Sequence, residues 1–551
     1  MILSLVAACA TDEETMSIPR WNPPQTPTRQ EQFILRRLTR NGKLFAFLRL
    51  HRHEIFDDSF QTELESMYRD TGAGRDPKPP ALLAMVLLLQ AYGGESDASA
   101  VELALLDLRW QMVLGCLGAT EPVFAQGALV DFRNRLIAAD LDRRLLERTV
   151  ELARKTKEFD WKKMPKTLRV AIDSSPLEGA GRVEDTINLL AHAGHKIVAC
   201  AAKILDWDEE RVCREAGIPL LAESSIKKAL DLKWSDAEEK AEAIPILIEQ
   251  LARLDLWIGT HLAEAAKGPP LKEHVDTLHQ LIAQDIEPDP GGKGGPRIRE
   301  GVAPDRRVSV EDKDMRHGRK SKSKRFNGYK RHNAINLDTR LVLACALAAA
   351  NRPEEEAAPD LAADLEHGGH KVDDLYIDRG YINARLVDDV LKRRGRVICR
   401  PWAARNGKLF AKGAFAINMR DRTITCPAGE TERFATGSTV EFEPEKCDAC
   451  PLRARCTDTS PGHGRTVAIA ENELLQHRLR KLAQSKDGRA LLRERVPVEH
   501  SLAHVSRRQG RRARYRGVRK NLFDLRRAAA TTNLETIQRR EAAAAAVAKA
   551  A

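Results

Sequence analysis

The sequence predicts an α/β protein: a mixed sheet with flanking helices, preceded by an all-α domain and broken by two insertions. Three observations predict it. Apolar residues recur at helical spacing from residue 30 to residue 157. At Lys166 the pattern switches to short β-rich runs, first "TLRVAIDSS" and later "LYIDRGYIN". A long charged helical stretch lies between these runs, and a shorter stretch rich in cysteine follows the second.

Residues 1–30 are rich in Pro and Thr and are expected to be mobile. "MILSLVAACA" contains a lipoprotein-like Val6-Ala7-Ala8-Cys9, but it lacks a basic n-region and its apolar stretch is short for an export signal. Met16 is an alternative start. Residues 31–160 form the all-α domain. Pro79-Pro80 opens "ALLAMVLLLQAYGG", a buried helix closed by glycines, and Ser96 caps the next. "VFAQGALVDFRNRLIAADL" carries Arg133 and Arg135 on one face, which suits DNA binding by a helix-turn-helix or, equally, a dimerisation module. The main domain spans 166–530. It holds a helical insertion at 180–300, ending in a loop near 287–297 ("EPDPGGKGGPR"). A strand at 306–310 and a hairpin of 328–335 with 341–348 follow. Then come a helix at 358–366, the strand "LYI", a helix at 382–393 and the strand in "RVICRP". A Cys-rich insertion occupies 405–485, and 535–551 is an Ala-rich tail.

The formal charge is +11, from 90 Lys and Arg against 79 Asp and Glu. The excess is concentrated at 316–331 and 507–527, which points to a polyanion, nucleic acid first. A solvated basic tail is the plain alternative, but Phe326, Tyr329, Tyr515 and Phe523 interleave with the charges. The longest apolar run, 81–89, is far shorter than the ~20 residues of a membrane span. Ten cysteines, six of them scattered singly, fit a reducing cytoplasm rather than a disulfide scaffold.

Asp173 closes the first predicted strand and Asp378 the strand "LYI". Asp at such a place is ordinarily a cap or turn residue. A third carboxylate, Glu499, sits on a helix whose apolar face is Val498, Leu502 and Val505, with Arg495 one turn before it. Three such carboxylates can hold hard divalent cations. Two ions ~3.5–4 Å apart stabilise the attacking and leaving oxygens of a phosphoryl displacement. Acidic residues inside a basic protein suit that role, because the metals invert the local charge.

Read in order, "SDASAVELALLDLRWQMVLG", "DFRNRL", "AIDSSPLEG", "MRHGRKSKSKRFNGYKRH", "LYIDRGYIN", "VEHSLAHV" and "YRGVRKNLFDLRRAAATTNL" resemble the DDE transposases of bacterial insertion sequences. The resemblance implies an RNase H-like catalytic fold and a cytoplasmic enzyme. It would bind terminal inverted repeats, cut double-stranded DNA and join the ends to target DNA. It also implies two Mg²⁺ ions (with Mn²⁺ as substitute) on Asp173, Asp378 and Glu499, and a homodimer on DNA. A metal-dependent nuclease that does not join, and a DNA-binding relic with a dead centre, are the alternatives. The family often has Tyr, Arg and Lys around its Glu. Arg495 holds the Arg position, whereas Leu492 and Ser506 stand at the others, and Pro497 lies two residues before Glu499. Glu494 is the fallback for the third acid.

Cys426, Cys447, Cys450 and Cys456 give C-x20-C-x2-C-x5-C, which suits a closed structural Zn²⁺ site. An iron–sulfur cluster or free thiols are the alternatives. The segment resembles the cysteine-bearing insertion of one transposase branch. For contacts to the DNA backbone the sequence offers Lys320, Lys322, Lys324, Arg325 and Lys330 on one side. Arg495, Arg507, Arg511, Arg514, Arg516 and Lys520 stand on the other. Tyr515 and Trp402 are candidates for base stacking, with packing as the commoner role.

Overall fold

The computed structural model describes residues 18–39, 42–68, 77–156, 159, 167–231, 237–288, 295–321, 323–402 and 406–550. Its centre is a six-stranded mixed sheet. The strands are β1 (Leu168–Glu178), β2 (Arg316–Arg319), β3 (Arg325–Asn336), β4 (Val342–Ala349), β5 (Val372–Tyr376) and β6 (Arg396–Ile398). The spatial order is β2-β3-β1-β5-β6, with β4 also alongside β3. β3 runs antiparallel to β1, β2 and β4, whereas β1, β5 and β6 are mutually parallel.

The expected hairpin is β3–β4. Its turn is made by Asn336, whose Oδ1 accepts from the N–H groups of Asp338 (2.7 Å) and Thr339 (2.9 Å), with Arg340 at φ 65°. Two strand expectations need correction. Residues 306–310 make a single bridge, Arg307 to Arg316, rather than a strand. The Arg307 side chain turns back onto the carbonyls of Ser309 and Val310, so this segment folds on itself. β1 does not end at Asp173 but continues to Glu178. Its pairing with β5 stops at Ala171, while β3 accompanies it to the end. Asp173 therefore stands where one flank of β1 loses its neighbour, and a carboxylate there meets a cleft instead of a strand.

Ala358–His367 and Arg385–Lys392 connect the parallel strands, and Val496–Gln509 packs on β1 and β3. The last helix, Val518–Ala550, lies on β4 and on the N-terminal helices. Eight helices from Arg29–Arg37 to Asp142–Lys155 share one apolar core with the sheet, so the N-terminal part is a layer fused to it. Arg133 is correspondingly buried. It pairs with Asp97 and donates to the Tyr515 hydroxyl, so the basic face predicted for Gln126–Ala138 is partly an internal contact. Mobility expected for residues 1–30 does not hold from Ile18 onward. Trp21 is buried, its indole donates to the Leu114 carbonyl (3.1 Å), and Arg20 pairs with Glu65. Residues 1–17, with the Val6–Cys9 stretch and Met16, lie outside the described residues, as does 289–294 of the predicted loop.

The two insertions carry cores of their own. The helical one is built on Thr186–Leu205, Ala237–His261 and Leu271–Asp285. The Cys-rich one packs Phe415, Phe434 and Phe442 between short hairpins. Among the described residues no helix is long and apolar enough to cross a membrane.

Candidate active site

Asp173, Asp378 and Glu499 line one cleft of about 790 Å³. Each is delivered by a different element. Asp173 comes from the half of β1 that has β3 but no longer β5 beside it. Asp378 follows β5 by two residues and leads the turn Arg379–Tyr381. Glu499 lies in the first turn of Val496–Gln509, exposed, while Val498, Leu502 and Val505 bury the opposite face. Pro497 is harmless there, because first-turn N–H groups have no helical acceptor to lose. The helix end is fixed by buried Arg331. It donates to the carbonyls of Ser506 (3.2 Å), Gly510 (2.9 Å) and Pro176, tying the helix to β1.

Arg495 stands between two of the acids. Its guanidinium meets Asp173 Oδ2 at 3.0 Å and pairs with Asp378 Oδ1. The Ser174 N–H donates to Asp173 Oδ1 (2.8 Å). Burial pushes the Asp173 carboxyl up to about 6, Arg495 pulls it back, and the charges of Asp378 and Glu354 raise it further. The donor set, carboxylate oxygens with a residual excess of negative charge, fits a hard divalent cation. As placed, with Arg495 bridging, no three acids among the described residues stand close enough to chelate one ion.

Glu494 does not reach the cleft. It pairs with Arg169 (2.6 Å) and accepts from the Tyr376 hydroxyl (3.0 Å). Lys320, Lys324, Arg325, Lys330 and Arg511 line the cleft, whereas Lys322 lies outside the described residues. Arg514 and Arg516, which the sequence offered for DNA contacts, are not part of the cleft lining. Arg514 donates to the carbonyls of Gly94 and Glu95, and Arg516 pairs with Glu311 (2.8 Å). Arg507 and Lys520 are exposed beyond the cleft lining. Tyr515 is a packing residue between Arg133 and Phe523. Trp402 is 55% exposed, with the Arg379 guanidinium 5.5 Å from its ring.

Arg319 and Glu354 are among the cleft residues that escaped sequence reading. Arg319 is on β2, a strand hidden in a basic tract. Glu354 follows β4 in "NRPEEEAAPD", where three acids after a proline read as an ordinary helix start.

The four clustered cysteines line a second cavity, of about 330 Å³, and are unbridged. The Leu452 N–H points at Cys450 Sγ (3.4 Å) and the Arg465 N–H at Cys447 Sγ (3.5 Å). As placed, no three of these cysteines form a metal-holding group.

Two protein-family models match the chain. Residues 296–534 match the family model described as "Transposase DDE domain", and residues 36–135 match "Transposase domain (DUF772)". No curated protein and no solved structure matches the chain. The DDE match contains Asp378 and Glu499 but begins after Asp173, which the helical insertion separates from it. Pairing of β1 with β3 and β5 restores Asp173 to the centre. The sheet with its flanking helices is the RNase H-like fold of that domain family.

Proposed function

Since the chain is a DDE transposase of the insertion-sequence type, and so an enzyme of DNA cleavage and strand transfer, we propose that it binds the terminal inverted repeats of its element and acts on them at the Asp173–Asp378–Glu499 cleft. One observation carries the reading. Three acids far apart in sequence meet in one cleft walled by Lys320, Lys324, Arg325 and Arg511. Asp173, Asp378 and Glu499 would hold two divalent ions of the Mg²⁺ type. When bound, such ions neutralise phosphoryl oxygens and activate the attacking oxygen. The wall lysines and arginines take the phosphate backbone and set affinity rather than sequence choice. Arg495, a fork of donors now spent on two carboxylates, is placed to take a phosphate oxygen once they are otherwise neutralised.

Cys426, Cys447, Cys450 and Cys456, which line one cavity, would hold one structural zinc once their sulfurs draw together. Four thiolates leave no open position, so its role there is to fasten the small insertion. Pairing two element ends calls for two copies of the chain.

The test is an assay of the full chain on DNA carrying the gene's own flanking sequence, with Mg²⁺ or Mn²⁺. Metal-dependent nicking followed by joining to a target supports the reading. Nicking without joining reduces it to a nuclease, and DNA binding without nicking leaves a silent centre.

A further inference from the structure

Glu354 enters the cleft beside Ser174, the strand neighbour of Asp173. Along β1, Asp173 and Ser175 share one face, and Ser175 meets Ser506 of the Val496–Gln509 helix (3.0 Å). Ser174 points the other way, and its hydroxyl donates to Glu354 Oε1. The second carboxylate oxygen of Glu354 lies against the turn that follows Asp378. A Cβ placed on Gly380 would come within 2.1 Å of Glu354 Oε2. The one carboxylate therefore touches the neighbour of Asp173 and the turn of Asp378. Behind it the next turn residue, Tyr381, is buried, and its hydroxyl lies 2.6 Å from Nδ1 of buried His332, the cross-strand partner of Ser174. Among the described residues no strand pairing joins β1 to β5 at this level, because it has already ended at Ala171.

We infer that Glu354 is a positioning residue of the catalytic centre: it clamps the free half of β1 to the turn after β5, and so fixes the separation of Asp173 and Asp378. The inference rests on the proposed metal-holding role of those two acids. Glycine at 380 is then required because any side chain would push the clamp open, and the acid at 354 is required because it must accept from Ser174 while lying flat on that glycine.

The experiment titrates Mn²⁺ into the metal-free full chain and counts free ion by electron paramagnetic resonance, with thermal melting in EDTA alongside. Glu354→Ala is expected to raise the half-saturating Mn²⁺ concentration about tenfold, the usual scale for losing a group that orients a metal ligand, with the melting temperature held. Gly380→Ala is expected to reproduce that loss and to add nothing in the Glu354→Ala background. Glu354→Gln, which keeps the acceptor for Ser174, is expected to bind Mn²⁺ nearly as the parent does. Wild-type binding by Glu354→Ala, losses that multiply in the double variant, or a Glu354→Gln loss equal to that of alanine would each overturn the clamp. Asp378→Asn is the control. If it too binds Mn²⁺ like the parent, the reading of the centre fails; if it alone loses binding, only the clamp fails.

Discussion

At the scale of single residues the centre is a contest over charge. Asp173 sits at about 6 instead of 3.8, chiefly because burial disfavours its ionised form. A carboxyl raised in the folded state stabilises the fold below its unfolded pKa, and that contribution is lost as pH rises through the folded value. The metal-free protein should therefore lose stability relative to Asp173→Asn between pH 4 and 6, by at most about 3 kcal/mol. Urea melts of the two proteins across that window would measure it, and parallel curves would mean that Asp173 is not strained by burial. The same substitution, or Asp378→Asn, should cut nicking by at least ~100-fold, on the scale of removing a principal electrostatic group. DNA retention in a gel shift should be unchanged. Glu494→Gln should leave nicking near the parent's level, because its partners are Arg169 and Tyr376.

At the scale of elements, the Val496–Gln509 helix decides where the third acid stands. Its register is set by three buried apolar residues and by Arg331 at its end, with Leu492 packed on the core and Ser506 hydrogen-bonded to Ser175 where the resembling family often has Tyr and Lys. Leu502→Ala should cost about 2–5 kcal/mol and weaken nicking beyond what the stability loss explains, which thermal melts and rates measured on one preparation would separate. The cysteine insertion is held by a small aromatic core. Metal analysis of the purified chain should find one zinc per chain, and Cys447→Ser with Cys450→Ser should abolish it. Finding none in the parent would leave free thiols as the reading.

At the scale of the whole molecule, the net charge of +11 matters through where it is spent. Much of the second basic tract is engaged within the chain although it stands at the surface: Arg514, Arg516 and Arg519 bind groups of the helical layer and of the 311 segment. The first tract faces the cleft. Alanine at Lys320, Lys324 or Arg325 should each lower the salt slope of DNA affinity by about 0.9, whereas Arg514→Ala should act on stability. Fluorescence anisotropy across a salt series would distinguish the two.

The sequence by itself determined the kinds of element and their order, because periodicity and turn residues are local signals: the Asn336 turn, the Ser96 cap and the closing glycines of "ALLAMVLLLQAYGG" all do locally what their residue types dictate. It also singled out Asp173, Asp378 and Glu499, since a carboxylate beside a buried run is chemically conspicuous. Only the tertiary structure decided which charges face the cleft. Whether an arginine meets phosphate or a carbonyl depends on what packs opposite it. That neighbour lies hundreds of residues away for Arg514 and Gly94, or for Arg133 and Tyr515. Glu354 was invisible for the same reason: its partners Ser174 and Gly380 become neighbours only when β1 and β5 are laid side by side.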